Sequence, residues 1–119
     1  MAMLGASLAI LLTVAPPAAH HSTAVYEMDR PITVTGTVTR FVWANPHAFM
    51  QLKVTDDAGK DVVWEIEMSS PNHLSANGWM RTTVQPGDKI SCTGGLARGM
   101  TRTMLASLVE LADGRQLKS

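Results

Sequence analysis

A single cysteine, Cys92, occurs in 119 residues, so no intramolecular disulfide can staple the fold. No charged side chain occurs before residue 20. Beyond it the charge has no dominant sign: ten Lys and Arg balance ten Asp and Glu. A dedicated nucleic-acid binder carries a basic footprint, and this composition lacks one, so no nucleic-acid partner is expected. Nor is there a polybasic segment to hold an anionic membrane. Chemistry-bearing signatures are also scarce. There is no Ser-His-Asp set, no nucleophile elbow and no phosphate-cradling glycine loop. The glycine pair in "CTGG", residues 92–95, is too short for such a loop. No internal repeat is visible.

Long hydrophobic runs are missing as well. The longest, Leu4–Val14, falls short of the roughly 20 residues that cross a bilayer. Pro16-Pro17 and two alanines come after it, which is the order of an apolar h-region and a small-residue cleavage region. Residues 1–19 therefore read as a signal peptide and direct the chain to the periplasm or the exterior. The absence of Lys or Arg ahead of the run departs from that pattern, and a retained membrane anchor is the competing reading. Cleavage after Ala19 leaves 100 residues, enough for one small core. They divide into an extended arm, residues 20–31, and one domain, residues 32–119. After cleavage nothing in the sequence requires a membrane.

That domain reads as short strands. "ITVTGTVTRFVW", residues 32–43, alternates Ile32, Val34 and Val38 with threonines, a period-2 pattern rich in β-branched residues. Gly36 marks a bend, and the apolar phase then shifts to Phe41 and Trp43, as one inserted residue would cause. After the "ANP" turn, residues 44–46, "HAFMQLKV" and "DVVWEIEM" flank the hairpin loop "DDAGK". "SSPNHLSANG" is a short helix with Ser70 as N-cap, Pro71 at the first helical position and Gly78 beyond the end. "KISCTG" and "TRTMLASLVEL" are the fourth and fifth strands, the last closed by the "DGR" turn. Three strands, a helix, then two strands is the order of a small five-stranded OB-fold-like barrel. A β-sandwich is the alternative, and the single helix argues against it.

Burial then selects a register for the second and third strands. Val54 opposes Val62, Leu52 opposes Trp64 and Met50 opposes Ile66; a one-residue slip would expose Met50 and Leu52. The outer pairs become Lys53–Val63, Gln51–Glu65 and Phe49–Glu67. His47, Phe49, Glu65 and Glu67 thus share one outer surface, the usual ligand platform of OB folds. With Trp43, Asn45 and Trp79 they form the candidate ligand site, although the two tryptophans, flanking the turn and the helix end, read first as a cap on the barrel. The same surface also reads as a solvated face with a diagonal Lys53–Glu65 ion pair, and His47 as a residue that fixes its turn.

The ordered set "HHS" at 20–22, "GTV" at 36–38, "WANPHAF" at 43–49, "WEIE" at 64–67, "SPNHL" at 70–74, "GW" at 78–79, "PGD" at 86–88 and "DGR" at 113–115 resembles a family of small exported bacterial proteins. That family is catalogued as domain of unknown function 6152. The likeness runs from His20 to Leu117. It implies an exported, OB-fold-like barrel without a cofactor, and it supplies no catalytic residues. "ARGMTRTM", residues 97–104, departs from the polar loop expected there.

Two histidines stand at the processing boundary. A new N-terminal His20 can chelate a metal through its amine and ring, and nitrogen donors of this kind suit copper(II). His21 and His47 are further candidate ligands. Against this, the chain has no spaced His/Cys/Asp cluster of a robust site. Glu65 and Glu67 could in principle divide acid and base roles, but an open sheet face leaves them too hydrated for that. The leading expectation is an exported, non-enzymatic binding or accessory module, its partner a small ligand or a periplasmic protein. Copper binding through His20, His21 and His47 is the alternative; otherwise no cofactor is expected.

Overall fold

The computed structural model describes residues 25–119. The leader, residues 1–19, and His20 and His21 lie outside the described residues. The elements in chain order are β1 (Ile32–Val42), β2 (Phe49–Thr55), β3 (Asp61–Glu67), α1 (Pro71–Ala76), β4 (Lys89–Leu96), β5 (Thr103–Glu110) and β6 (Gln116–Lys118). The first five strands close on themselves. β1 is long enough to pair twice, its Thr37–Val42 half with β2 and its Ile32–Thr37 half with β4, both antiparallel. A parallel pairing of β3 with β5 completes the ring. The result is an all-β barrel with one short helix between β3 and β4, as the strand order implied.

β1 turns the corner at two places. At Gly36 an added Cβ would stand 2.6 Å from the Lys53 carbonyl oxygen, so only glycine lets β2 approach there. Past Val38 the β1–β2 register slips by one residue, with Val38 opposite Leu52 but Arg40 opposite Gln51. Thr39 is the inserted residue of this bulge, and it accounts for the phase shift from Val38 to Phe41. β2 and β3 pair as burial requires: Met50 with Ile66, Leu52 with Trp64, Val54 with Val62.

The core is continuous along the barrel axis. Val38, Met50, Leu52, Ile66, Met68, Cys92, Met104 and Val109 are fully buried. α1 closes one end. Ser70 accepts the His73 amide at its N-terminus, Pro71 occupies the first turn, and Gly78 adopts φ +90° just past the Asn77 cap. Leu74 and Trp79 plug that end and are buried. The Trp79 indole N–H donates to the Lys118 carbonyl at 2.8 Å, which fastens β6, an element not anticipated from the sequence, against the same end. Trp64 faces inward from the other half of β3 and is half-buried against the core.

Candidate functional site

The outer face of β2 and β3 carries the polar residues that the register placed there. Phe49 lies opposite Glu67 and Gln51 opposite Glu65. The Gln51 amide donates to Glu65 Oε1 at 2.7 Å. Lys53 pairs with Asp61 at 3.8 Å rather than with Glu65. The Arg40 guanidinium stands 5.4 Å from the Phe49 ring centroid, a cation–π contact on one edge of the face.

At the end of this face, where β2 begins, a cleft of about 420 Å³ is lined by Pro46, His47, Phe49, Glu65, Glu67 and Thr103, with Ile66 and Ala48 also contributing. His47 enters it directly after the "ANP" turn. Its Nδ1 lies 2.6 Å from Glu67 Oε1. The second oxygen of the same carboxylate, Oε2, accepts a hydrogen bond from the Tyr26 hydroxyl. One carboxylate thus ties the arm to the β2 turn. Burial, reinforced by the hydrogen bond to Glu67 and by its negative charge, pushes the Tyr26 phenol above its ordinary value. Tyr26 therefore remains a donor, and the His47–Glu67–Tyr26 chain holds the carboxylate in one orientation.

Tyr26 was not among the sequence candidates. It reaches Glu67 because the described part of the arm folds back on the barrel. Tyr26 bridges Ala97, the Glu27 amide donates to the Leu96 carbonyl at 2.8 Å, and the Arg98 amide donates to the Val25 carbonyl at 2.8 Å. Gly95 makes room for this return: a Cβ there would lie 2.8 Å from the backbone of Glu27 and Met28. The Glu27 carboxylate bridges Arg30 at 3.3 Å and Arg98 at 3.4 Å. The available signal was that Tyr26 is the only aromatic residue of the arm and the only tyrosine of the chain.

The sequence candidates therefore separate. His47, Phe49, Glu65 and Glu67 line one cleft. Asn45 is exposed on the turn that precedes it, across a cis peptide bond to Pro46. Trp43 packs edge-on against Phe41, ring centroids 6.0 Å apart, and Phe41 in turn meets Trp79 at 6.4 Å. Both tryptophans belong to an aromatic cap, and neither is among the residues lining the cleft. His73 is exposed on α1. Among the described residues no group of three or more His, Cys, Asp or Glu side chains converges as metal ligands. His47 and Glu67 form a pair, and a complete site would need donors from outside this set.

This geometry defines a small OB-fold-like barrel with a mixed apolar and acidic cleft on the β2–β3 face. The chain belongs to a family of unknown function, DUF6152, whose profile matches residues 9–106. No curated protein sequence matches it. Among solved structures it is similar to Rim1, the mitochondrial single-stranded DNA-binding protein of S. cerevisiae. That match has a TM-score of 0.51 and 11% identity, over 69% of this chain and 92% of that one. It is also similar to part of TiaS, in the structure of its complex with an isoleucine tRNA and ATP. There the TM-score is 0.51 with 16% identity, over 71% of this chain but only 18% of the other. At such identities the likeness concerns the fold alone.

Proposed function

We propose that this protein is an exported, non-enzymatic binding module. Its β2–β3 cleft takes an apolar ligand that bears a basic or hydrogen-bond-donating group. The carrying observation is the cleft itself: Phe49, Ile66 and Pro46 supply apolar walls, while Glu65 and Glu67 present two carboxylates at the same opening. A concave, largely apolar site with a few fixed polar groups is the common form of a small-molecule site. The His47 and Tyr26 contacts hold Glu67 in place before any ligand arrives, which lowers the ordering cost of binding. The cleft offers no activated nucleophile, so binding rather than turnover is the function it supports. The neutral charge balance gives nucleic acid little to hold, in spite of what Rim1 binds.

N-phenyl-1-naphthylamine, an apolar amine of suitable size, is the test probe. Saturable fluorescence enhancement is expected with the protein. Affinity should fall by about tenfold or more in both Phe49→Ala and Glu67→Gln, and His73→Ala on the distant helix should bind normally. Absent saturation, or equal affinity in all three variants, would refute the assignment.

One observation also supports copper handling as a second reading. The arm delivers Tyr26 to the carboxylate that holds His47, and His20 precedes Tyr26 by six residues, a chain length of about 20 Å at most. His20 and His21 are therefore within chain reach of His47. The Glu67 carboxylate against its Nδ1 orients the His47 ring, as carboxylates do beside metal-binding imidazoles. Copper(II) added to protein processed to a free His20 amine should bind one-to-one. That stoichiometry should be lost on His47→Ala and on adding one alanine before His20. Substoichiometric copper in the processed protein rules this reading out.

A further inference from the structure

We propose that the opposite mouth of the barrel is a second binding site, which takes a small zwitterion with an apolar body, the chemistry of a free amino acid or dipeptide. The mouth holds a cleft of about 300 Å³ whose walls include Trp64, Arg102, Asp56, Asp57, Thr33 and Thr35. It shares no lining residue with the His47 cleft, so this inference stands apart from the proposed function.

Three features of the mouth point to a ligand. Trp64 is the first. Although it faces inward, it is only half-buried, so part of an indole forms an apolar wall open to solvent. The second is a pair of opposite charges that do not meet. The side chains of Arg102 and Asp57 have no ion-pair or hydrogen-bond partner among the described residues. The neighbouring Asp56 is committed elsewhere, its Oδ1 accepting the Ala58 and Lys60 amides at 3.0 and 2.9 Å. A ligand carrying both a carboxylate and an ammonium can satisfy Arg102 and Asp57 together, with its apolar body on Trp64. A simple anion would face the Asp57 charge, and a simple cation the Arg102 charge.

The third feature is the backbone of Arg102. Among the described residues it is the only non-glycine with positive φ, at +59°. That conformation is costly for a residue with a Cβ and open to glycine. The same loop uses glycine for the purpose at Gly99, φ +71°. Arg102 is held there because its carbonyl accepts the Glu65 amide at 2.8 Å, at the start of the β3–β5 pairing that closes the barrel. A non-glycine residue in this conformation is a backbone outlier of the kind that clusters at ligand sites.

Titration with L-leucine, tracked by the NMR signals of the Trp64 indole N–H and the Arg102 Nε–H, tests the site. Both signals should shift and saturate. N-acetyl-L-leucine, without the ammonium, and L-leucinamide, without the carboxylate, should each bind at least about tenfold more weakly. Arg102→Gly should lose binding yet raise the melting temperature, because glycine relieves the backbone. Asp57→Asn should weaken binding while leaving the fold unchanged, and His47→Ala should leave it intact. No saturable shift with L-leucine or leucyl-leucine overturns the proposal. So does an Arg102→Gly protein that binds as well as the parent, or a ligand preference indifferent to either terminal charge.

Discussion

Gly94→Ala should abolish the folded barrel, whereas Gly95→Ala, one residue on, should release only the N-terminal arm. The two glycines of the "CTGG" stretch face opposite sides of β4. At Gly94 a Cβ would lie 1.9 Å from the Leu105 carbonyl oxygen and 2.8 Å from the Ala106 Cα. Those atoms are backbone of the neighbouring strand, so no rotamer change relieves the clash. β4 and β5 would have to part at the register shift between Thr93 and Gly94, next to the pairing that closes the ring. Overpacking of this kind costs about 3 kcal/mol or more, a large share of the roughly 5–15 kcal/mol that holds a domain. At Gly95 the obstructed atoms belong to Glu27 and Met28, which lie in the arm and outside the barrel ladder. The arm can lift away, and the cost is then the few hydrogen bonds that dock it. Circular dichroism should show no cooperative melt for Gly94→Ala. For Gly95→Ala the melt should persist, while the Glu27 and Arg98 amides lose protection from hydrogen exchange. Equal loss of the melt in both variants would show that the arm is part of the barrel's cooperative unit.

The Gly95 result also bears on function, because Tyr26 leaves Glu67 when the arm leaves β4. His47 would then be the one remaining described partner of that carboxylate. The probe affinity of the β2–β3 cleft should change in Gly95→Ala even though none of the residues lining it is altered. The arm is thus a part of the candidate site in sequence terms as well as in space.

Local periodicity made much of the barrel legible in the sequence. The β2–β3 register was readable because one alignment alone buries Met50, Leu52, Val54, Val62 and Ile66, and the same alignment set Phe49 beside Glu67. The bulge at Thr39 was readable as a broken alternation, and the helix ends as Ser70, Pro71 and Gly78. Contacts that depend on distant segments left no such trace. Tyr26 and Glu67 are 41 positions apart, and nothing in "STAVYE" announces that this arm returns across Gly95. β6 is three residues long, too short to show a period, and is fastened by an indole 39 positions away. In place of a diagonal Lys53–Glu65 ion pair, Lys53 meets Asp61 while Gln51 holds Glu65, a choice among polar neighbours that strand periodicity does not encode. Trp43 and Trp79, which flank a turn and a helix end, read as a cap or as pocket walls, and the barrel end gathers them with Phe41 into a cap.

Alkaline pH should destabilise the folded protein through its one buried thiol. Cys92 is fully buried in β4, and burial pushes its thiol up to about 12. In the unfolded chain a thiol titrates near about 8.5, so the native state holds this proton more tightly than the unfolded one. The corresponding stability is complete below the unfolded value and is lost as pH rises toward the folded one. The slope is about 1.4 kcal/mol per pH unit, so about 2 kcal/mol should be gone between pH 9 and 10.5. Tyr26 acts in the same direction above pH 10, since burial first and then its hydrogen bond to Glu67 raise the phenol; its partial exposure makes that contribution the smaller one. The same burial keeps the lone thiol protonated and slow to react, which suits the oxidising compartment proposed for this chain. Urea unfolding from pH 7 to 10.5 should show the decline beginning near pH 8.5. Cys92→Ala should start about 1 kcal/mol less stable at pH 7, for the cavity it leaves, and then lose little up to pH 10. Tyr26→Phe should keep the decline below pH 10 and flatten only its upper end. A parent protein whose stability is level across this range would mean that Cys92 titrates as a solvent-exposed thiol does, against its complete burial in the core.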